Sequence, residues 1–456
     1  MRTKITENKQ IITNKITSRS HSNQVSKVIN QGGFGCIFRP SLPCKNIDKN
    51  KLDSVDDSGS NANYVSKLVQ KNFNAENEIR IGQIIKQIPF FYLYYIPVIH
   101  SCTASLAKIN HREITKCHII KNENEKTDNK KNEFLLLNMT YVDNIKFTKY
   151  LLSGINKKRI LNIIFDTYSY FLFSLEQLMN NGIVHYDFKW DNAVIDLKTE
   201  LPVILDFGIS IPIAAIVESG SNNSGGGGDN EDNEDNEDNE DNEDNEDNED
   251  NEDNEDKYEK YRKYFYIYYP SYSLWSLEIH LINYVLHQHS RITLESLKIT
   301  IDEYADSNSA FTILSPEFME RYKQLCFATL ERFIDKSREY VIQECLQFWK
   351  TWDNYSLSIS YLQIIKFIST SGFTSNAFLI SFSKILMDNI HPDPTRRSDF
   401  STTKYKYKSI FYQESSIENY ELLIDNFDFQ DFKSHSLKES RRNEDMFSRM
   451  SLSQSQ

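Results

Sequence analysis

The chain has 456 residues, 39% of them hydrophobic, and a formal net charge of −13. That length suggests two or three compact units rather than one small core. No run reaches the about 18 uncharged apolar residues of a membrane helix, and the N-terminal "MRTKITENKQ" lacks the apolar centre of a secretory signal.

The acidity is local. Asp229–Asp256 repeats Glu-Asp-Asn and holds 19 of the 65 acidic residues and no basic one, so the rest has 46 acids against 52 Lys+Arg, a net of +6. Residues 1–21 are polar and are expected to be disordered. "VSKVIN" and "CIFRP" read as two strands around a glycine turn, followed by the long polar loop "CKNIDKNKLDSVDDSGSNAN". "YVSKLVQ" reads as a third strand. "NAENEIRIGQIIKQI" spaces Ile81, Ile84, Ile85 and Ile88 as one helix face. "IPVIHSC" and "FLLLNMTYV" complete five strands and one helix within residues 22–142, separated by the charged "KNENEKTDNKKN".

Beyond residue 143 the pattern turns helical. "FTKYLL" and the stretch from Arg159 to Asn181 read as helices, with Gly182 as the stop. "AVID" and "PVILDFG" are short strands. From Leu274 on, "LWSLEIHLINYVLH", the stretch from Pro316 to Trp352 and "NAFLISFSKILMDNI" read as helices. Residues 414–456 have no sustained apolar period and are expected to be disordered, like the Gly-rich and acidic insert at 217–257. The fold class is α+β. Six cysteines, at 36, 44, 102, 117, 326 and 345, look too dispersed for a disulfide framework and suggest a reducing compartment. His100, Cys102, His111, Cys117 and His118 lie near one another in the chain but match no zinc spacing; a polar loop beside a strand is the plainer reading.

The densest chemistry is "HYDFKWDN", of the form H-x-D-x-K-x-x-N, with Asp206 in "LDFG" 14 residues after Asn192. Phosphoryl transfer needs a hydroxyl aimed at the γ-phosphate and cations to spread the developing charge. A carboxylate, a lysine and two hard oxygen ligands suit that task. With these motifs the sequence resembles the eukaryotic-type serine/threonine protein kinases over roughly residues 25–410. Its Asn-, Ile-, Lys- and Tyr-rich composition, "GGFGCIFRP" and "LWSLEIH" make it most similar to the kinases of giant DNA viruses of the mimivirus type.

The resemblance implies a two-lobed kinase-like fold: a β-rich N-lobe with one main helix at 22–142 and a mostly helical C-lobe at 143–413. It implies Asp187 as catalytic base, Lys189 at the γ-phosphate, Asn192 and Asp206 as Mg²⁺ ligands, and His185 as a brace. "NQGGFGCIF" would cover the ATP phosphates through Gly32, Gly33, Phe34, Gly35 and Ile37, with Asn30 where the family has its first glycine. Lys67 would hold the α- and β-phosphates and pair with Glu78, for which Glu76 is the rival. Met139 would sit behind the adenine, with the backbone of Thr140 and Val142 bonded to it.

Departures are as informative. Tyr186 replaces the arginine of H-R-D, and no A-P-E follows the acidic repeat. Either Glu278 stands for that glutamate, with Arg397 of "HPDPTRRS" as its partner, or "SLWSL" puts Ser273 at an acidic position of the family. The repeat is read as a tolerated loop expansion, or as a lure for basic substrates or a decoy in the cleft. Lys189 argues for protein serine/threonine acceptors over tyrosine or small molecules. A pseudokinase scaffold and a small-molecule phosphotransferase are the alternatives. Expected partners are a protein substrate, ATP and Mg²⁺. No nucleic acid or membrane is expected, a monomer is the default, and the viral resemblance implies host cytoplasm or virion.

Overall fold

The computed structural model describes residues 26–32, 35–45, 63–106, 109–120, 133–153, 156–217, 255–369, 376–412, 416–438 and 441–442. Residues 1–21, Gly33, Phe34, most of the polar loop after Cys44, the charged insert and nearly all of 217–257 lie outside these, as do the last residues.

Five strands form one antiparallel sheet: β1 (Lys27–Gly32), β2 (Gly35–Arg39), β3 (Tyr64–Gln70), β4 (His100–Thr103) and β5 (Phe134–Thr140), in the order β1-β2-β3-β5-β4. Alternation along the strands gives the sheet two buried faces. Cys36, Phe38, Leu68, Phe134 and Leu136 pack on one side under Ile109, Cys117 and Ile120. Val65, Val69, Leu137 and Met139 pack on the other with Ala75. Ala75 belongs to α1 (Phe73–Ile85), whose first turn is capped by the Asn72 side chain accepting from the Ala75 N–H. Of the four expected isoleucines, Ile81, Ile85 and Ile88 are buried in the helical core and Ile84 is half-buried against it. A Cβ on Gly82 would lie 2.6 Å from the Val98 carbonyl oxygen, so only glycine permits this approach.

The second half is helical. α2 (Lys157–Asn180) buries one long face and ends at Gly182, which takes φ +69°, as a helix stop requires. Short strands follow: β6 (Ile183–Val184), β7 (Ala193–Asp196), β8 (Pro202–Ile204) and β9 (Ile211–Pro212). Then come α3 (Leu277–His287), α4 (Leu294–Ser307), α5 (Pro316–Leu330), α6 (Arg338–Leu346), α7 (Trp352–Ser369), α8 (Ala377–Asn389) and α9 (Phe400–Ile410). α7 is buried almost all round, with the Ser358 and Ser360 hydroxyls bonded back to carbonyls one turn earlier. No described helix is long and apolar enough to cross a membrane.

Two expectations fail. Residues 416–426 form a helix, α10 (Ser416–Asn426), and 429–438 are helical as well, where disorder was expected. Leu423, Phe427 and Phe432 are buried in the main core, and the Tyr420 hydroxyl donates to Asn162 at 2.6 Å. A few well-placed large side chains outweigh the polar composition. The cysteines also pair: Cys36 with Cys117 and Cys44 with Cys102, leaving Cys326 and Cys345 as buried thiols. The partners are 81 and 58 residues apart, so only the folded sheet brings them together. Of the five residues that lie near one another in the chain, His100 and Cys102 come together beside Cys44, the disulfide partner of Cys102, while Cys117 is bonded to Cys36.

Candidate active site

β3 alternates Val65, Lys67 and Val69 toward α1, so its lysine faces the helix. One turn before Ile81 on the buried side of α1 stands Glu78; Glu76 is exposed. Lys67 Nζ lies 2.9 Å from Glu78 Oε2 and 3.0 Å from Asp206 Oδ1. Asp206 follows β8 with φ +68°, a left-handed backbone that aspartate adopts at some strain. Burial works against the Lys67 charge, yet the Asp206 and Glu78 carboxylates outweigh it and hold the ammonium well above its ordinary range. Burial pushes Glu78 up, with repulsion from Asp206 adding to it. Asp206 is pulled down in spite of burial, chiefly by Lys67. One cation is thus shared by two carboxylates, and the surplus negative charge suits a further cation.

The second cluster surrounds Asp187, 3% exposed. Lys189 Nζ donates to both of its oxygens, at 2.9 and 2.8 Å, and Asn192 Nδ2 donates to Oδ2 and to the Asp187 carbonyl, each at 2.8 Å. The Tyr272 hydroxyl donates to Oδ1. The loop is held from far along the chain. Asp353, at the start of α7, accepts from the backbone N–H of His185 at 2.7 Å and of Tyr186 at 3.1 Å. Burial pushes that carboxyl up to about 7 against those two donors. Ser210 donates to the His185 carbonyl at 3.1 Å, and Trp275 Nε1 to the Tyr186 carbonyl at 2.9 Å. Tyr186 also takes a positive φ, of 70°. The Leu205 N–H donates to the Asn192 carbonyl at 3.0 Å, fastening the loop before Asp206 to the loop of Asp187.

The two clusters meet in one cleft, lined among others by Lys67, Glu78, Asp187, Asp206, Gly208 and Ile209. Lys189 and Asn192 join it through Asp187. Asn30 lies in β1 opposite Ile37, at an irregularity in the register, and its side chain accepts from the Gln31 N–H. Gly32 pairs with Gly35, and Gly33 and Phe34 lie outside the described residues. A Cβ on Gly35 would lie 2.5 Å from the Leu68 carbonyl oxygen, so β2 presses on β3 only without a side chain there. Ile37 faces Lys67 across the sheet. Met139 is buried opposite Val65 and Thr140 ends β5, while the Val142 carbonyl already accepts from Asn144 Nδ2 at 2.7 Å. His185 is fully buried, its Nε2 3.3 Å from the Leu205 carbonyl, in a bracing position.

Glu278 and Arg397 form a buried pair at 2.9 Å, with side chains 2% and 1% exposed; Ser273 makes no such pair. Sequence reasoning did not single out Asp353 or Tyr272. Each acts on the loop from far along the chain, and neither stands in a motif that marks it.

No family model matches the chain. Among curated proteins it is similar to the serine/threonine-protein kinase D of Synechocystis sp., 23% identical over 207 residues, which is 44% of this chain. The match covers 32% of that relative's own length. What this establishes is a distant similarity, over less than half of the chain, to a serine/threonine protein kinase.

Proposed function

We propose that the protein is an ATP- and Mg²⁺-dependent serine/threonine protein kinase with a two-lobed kinase fold, its N-lobe at 22–142 and its C-lobe at 143–413. The observation that carries the reading is the convergence of Lys67, Glu78, Asp187 and Asp206 on one cleft. Lys67, steadied by Glu78, binds the α- and β-phosphates. The strand pair with Asn30, Gly32, Gly35 and Ile37 covers them. Met139, Thr140 and Val142 border the adenine. Asp187 accepts the proton of the acceptor hydroxyl and aims it, and Lys189 meets the γ-phosphate as a point charge. Asp206 and Asn192 offer the oxygens for Mg²⁺, which neutralises phosphate charge when bound. The Glu278–Arg397 pair ties the segment that would meet the protein substrate to the helical core.

One observation favours a non-catalytic scaffold: both oxygens of Asp187 are already engaged, one of them by Tyr272. The deciding experiment is incubation with γ-labelled ATP, Mg²⁺ and a protein acceptor. Label on serine or threonine, lost in Asp187→Asn and Asp206→Asn, supports the kinase. Nucleotide binding with no transfer to any acceptor supports the scaffold.

A further inference from the structure

β4 is the edge strand of the sheet. His100 and Cys102 stand two residues apart on it, so both side chains leave by the same face. Their neighbours on β5, Asn138 and Leu136, mark that face as the one opposite α1 and the Lys67 cleft. Cys44 arrives there from the segment after β2. One ligand atom from each of Cys44, His100 and Cys102 lies within 4.8 Å of the other two. Among the described residues, no other group of three His, Cys, Asp or Glu side chains gathers in this way.

Two sulfurs and an imidazole are the donors of a borderline-soft ion such as Zn²⁺. With Zn–S about 2.3 Å and Zn–N about 2.0 Å, a tetrahedral ion sets its donors about 3.5–3.8 Å apart. Small side-chain rotations reach that spacing from the present one. The frame around the three side chains does not depend on the cystine. Cys44 is bridged to Ala104, and the Lys45 N–H donates to the Thr103 carbonyl at 2.9 Å. Leu42 is buried, and its N–H donates to the Ser66 hydroxyl oxygen at 2.9 Å. That hydroxyl donates in turn to Asn138 Oδ1 at 2.6 Å, and Asn138 is the residue paired with His100. Reduction therefore leaves Cys44 beside Cys102.

We propose that Cys44, His100 and Cys102 form a thiol-gated Zn²⁺ site, of which the Cys44–Cys102 cystine is the oxidised, metal-free form. An external thiol reductant supplies two electrons. The S–S bond breaks, two thiols form on the protein, and the reductant leaves as its own disulfide. Zn²⁺ then displaces one proton from each thiol and takes the neutral His100 imidazole as third ligand. The fourth position is open to water. Mg²⁺ takes oxygen ligands, so the ion of this site and the ion of the cleft are chemically distinct. The other cystine has neither feature: Cys36 and Cys117 are fully buried and gather no third ligand among the described residues. Cys44 and Cys102 are half-buried and within reach of a thiol. The site lies across the sheet from the cleft and is independent of phosphoryl transfer.

The test uses the full chain with Mg²⁺ in excess, either oxidised or reduced by a phosphine without oxygen, and Zn²⁺ added as the metal alone. Metal retained after gel filtration is counted, and mass spectrometry maps the cysteines that zinc protects from alkylation. Expected is one Zn²⁺ per reduced chain and none per oxidised chain, with zinc-dependent protection of Cys44 and Cys102. Co²⁺ in its place should give a thiolate-to-metal charge-transfer band. His100 is exposed, so His100→Ala keeps the fold. It should weaken zinc binding by about tenfold or more, since losing a ligand costs at least what losing its supporting partner does. The inference is overturned by a reduced chain that binds no zinc, folded or not, or by equal binding to the oxidised chain. Zinc-dependent protection of other cysteines instead, or unchanged affinity in His100→Ala, overturns it as well.

Discussion

Lys67 Nζ and Asp206 Oδ1 are 3.0 Å apart although their residues are separated by 139 positions in the chain. The pair fastens the sheet to the loop that follows β8. With Glu78 on the same ammonium, it sets the charge of the cleft.

Lys67→Met removes the cation that both carboxylates share. Phosphoryl transfer is expected to fall by about 10²-fold or more, as when a preorganised charge donor is lost. Steady-state rates with saturating Mg²⁺ and ATP, beside a circular dichroism melt to confirm folding, check it. An unchanged rate in the folded variant would remove Lys67 from the site.

Arg397 and Glu278 are a buried pair, so removing one partner strands the other. Arg397→Ala is expected to destabilise the fold by about 3–5 kcal/mol, and Arg397→Met with Glu278→Leu by clearly less. Urea unfolding of the three proteins measures the difference. Equal losses in the single and double variants would argue that packing, not charge, accounts for the site.

The pH dependence of stability follows from buried groups with opposite signs. Asp353 is pushed up to about 7 by burial, so the folded state holds a proton that the unfolded chain releases. Its contribution is present at low pH and is lost as pH rises from the unfolded carboxyl value through about 7. His280 is pushed down to about 3 by burial, and His185 downward too, so there the unfolded chain is the one that gains protons. Their contribution is lost as pH falls below about 6.5. Between about pH 4 and 6.5 His280 raises stability with rising pH and Asp353 lowers it, so the two nearly offset, and the downward shift of His185 tips the balance toward a rise with pH. Each group changes the slope by up to about 1.4 kcal/mol per pH unit. Asp353→Asn should steepen the rise and His280→Gln flatten it, in urea titrations at several pH values. Identical slopes in all three proteins would contradict the assignment.

The cystine pairs predict two thiols in the denatured, unreduced chain and six after reduction, by thiol titration. Cys36→Ser or Cys44→Ser should each destabilise by about 2–4 kcal/mol. Six thiols without reductant would restore the dispersed-cysteine reading.

What was legible in the sequence is what stands close together in it. Asp187, Lys189 and Asn192 lie within one loop, and Asp206 follows at a fixed distance. The family's pattern favoured Glu78 over its rival Glu76, and in the fold Glu78 shares the buried side of α1 with Ile81 and Ile85 while Glu76 is exposed. Gly182 marked the end of α2. What was illegible is set by tertiary contact. Asp353 reaches the loop of Asp187 from the start of α7, and Tyr272 reaches it from beyond the acidic tract. Neither belongs to a motif. Cys36 meets Cys117 only once the segment after β4 folds over the sheet. The helix at 416–426 looked too polar to order, but Leu423 and the nearby Phe427 find a ready core.

The central claim is that Lys67, Asp187, Asn192 and Asp206 together make one Mg²⁺-nucleotide site. Calorimetric titration of the full chain with ATP, with and without Mg²⁺, tests it most directly. The account predicts one binding event per chain that needs Mg²⁺ and weakens by at least about tenfold, or 1.4 kcal/mol, in Lys67→Met and in Asp206→Asn. Binding that is absent in the parent protein, or equal in the variants and without the metal, would contradict it.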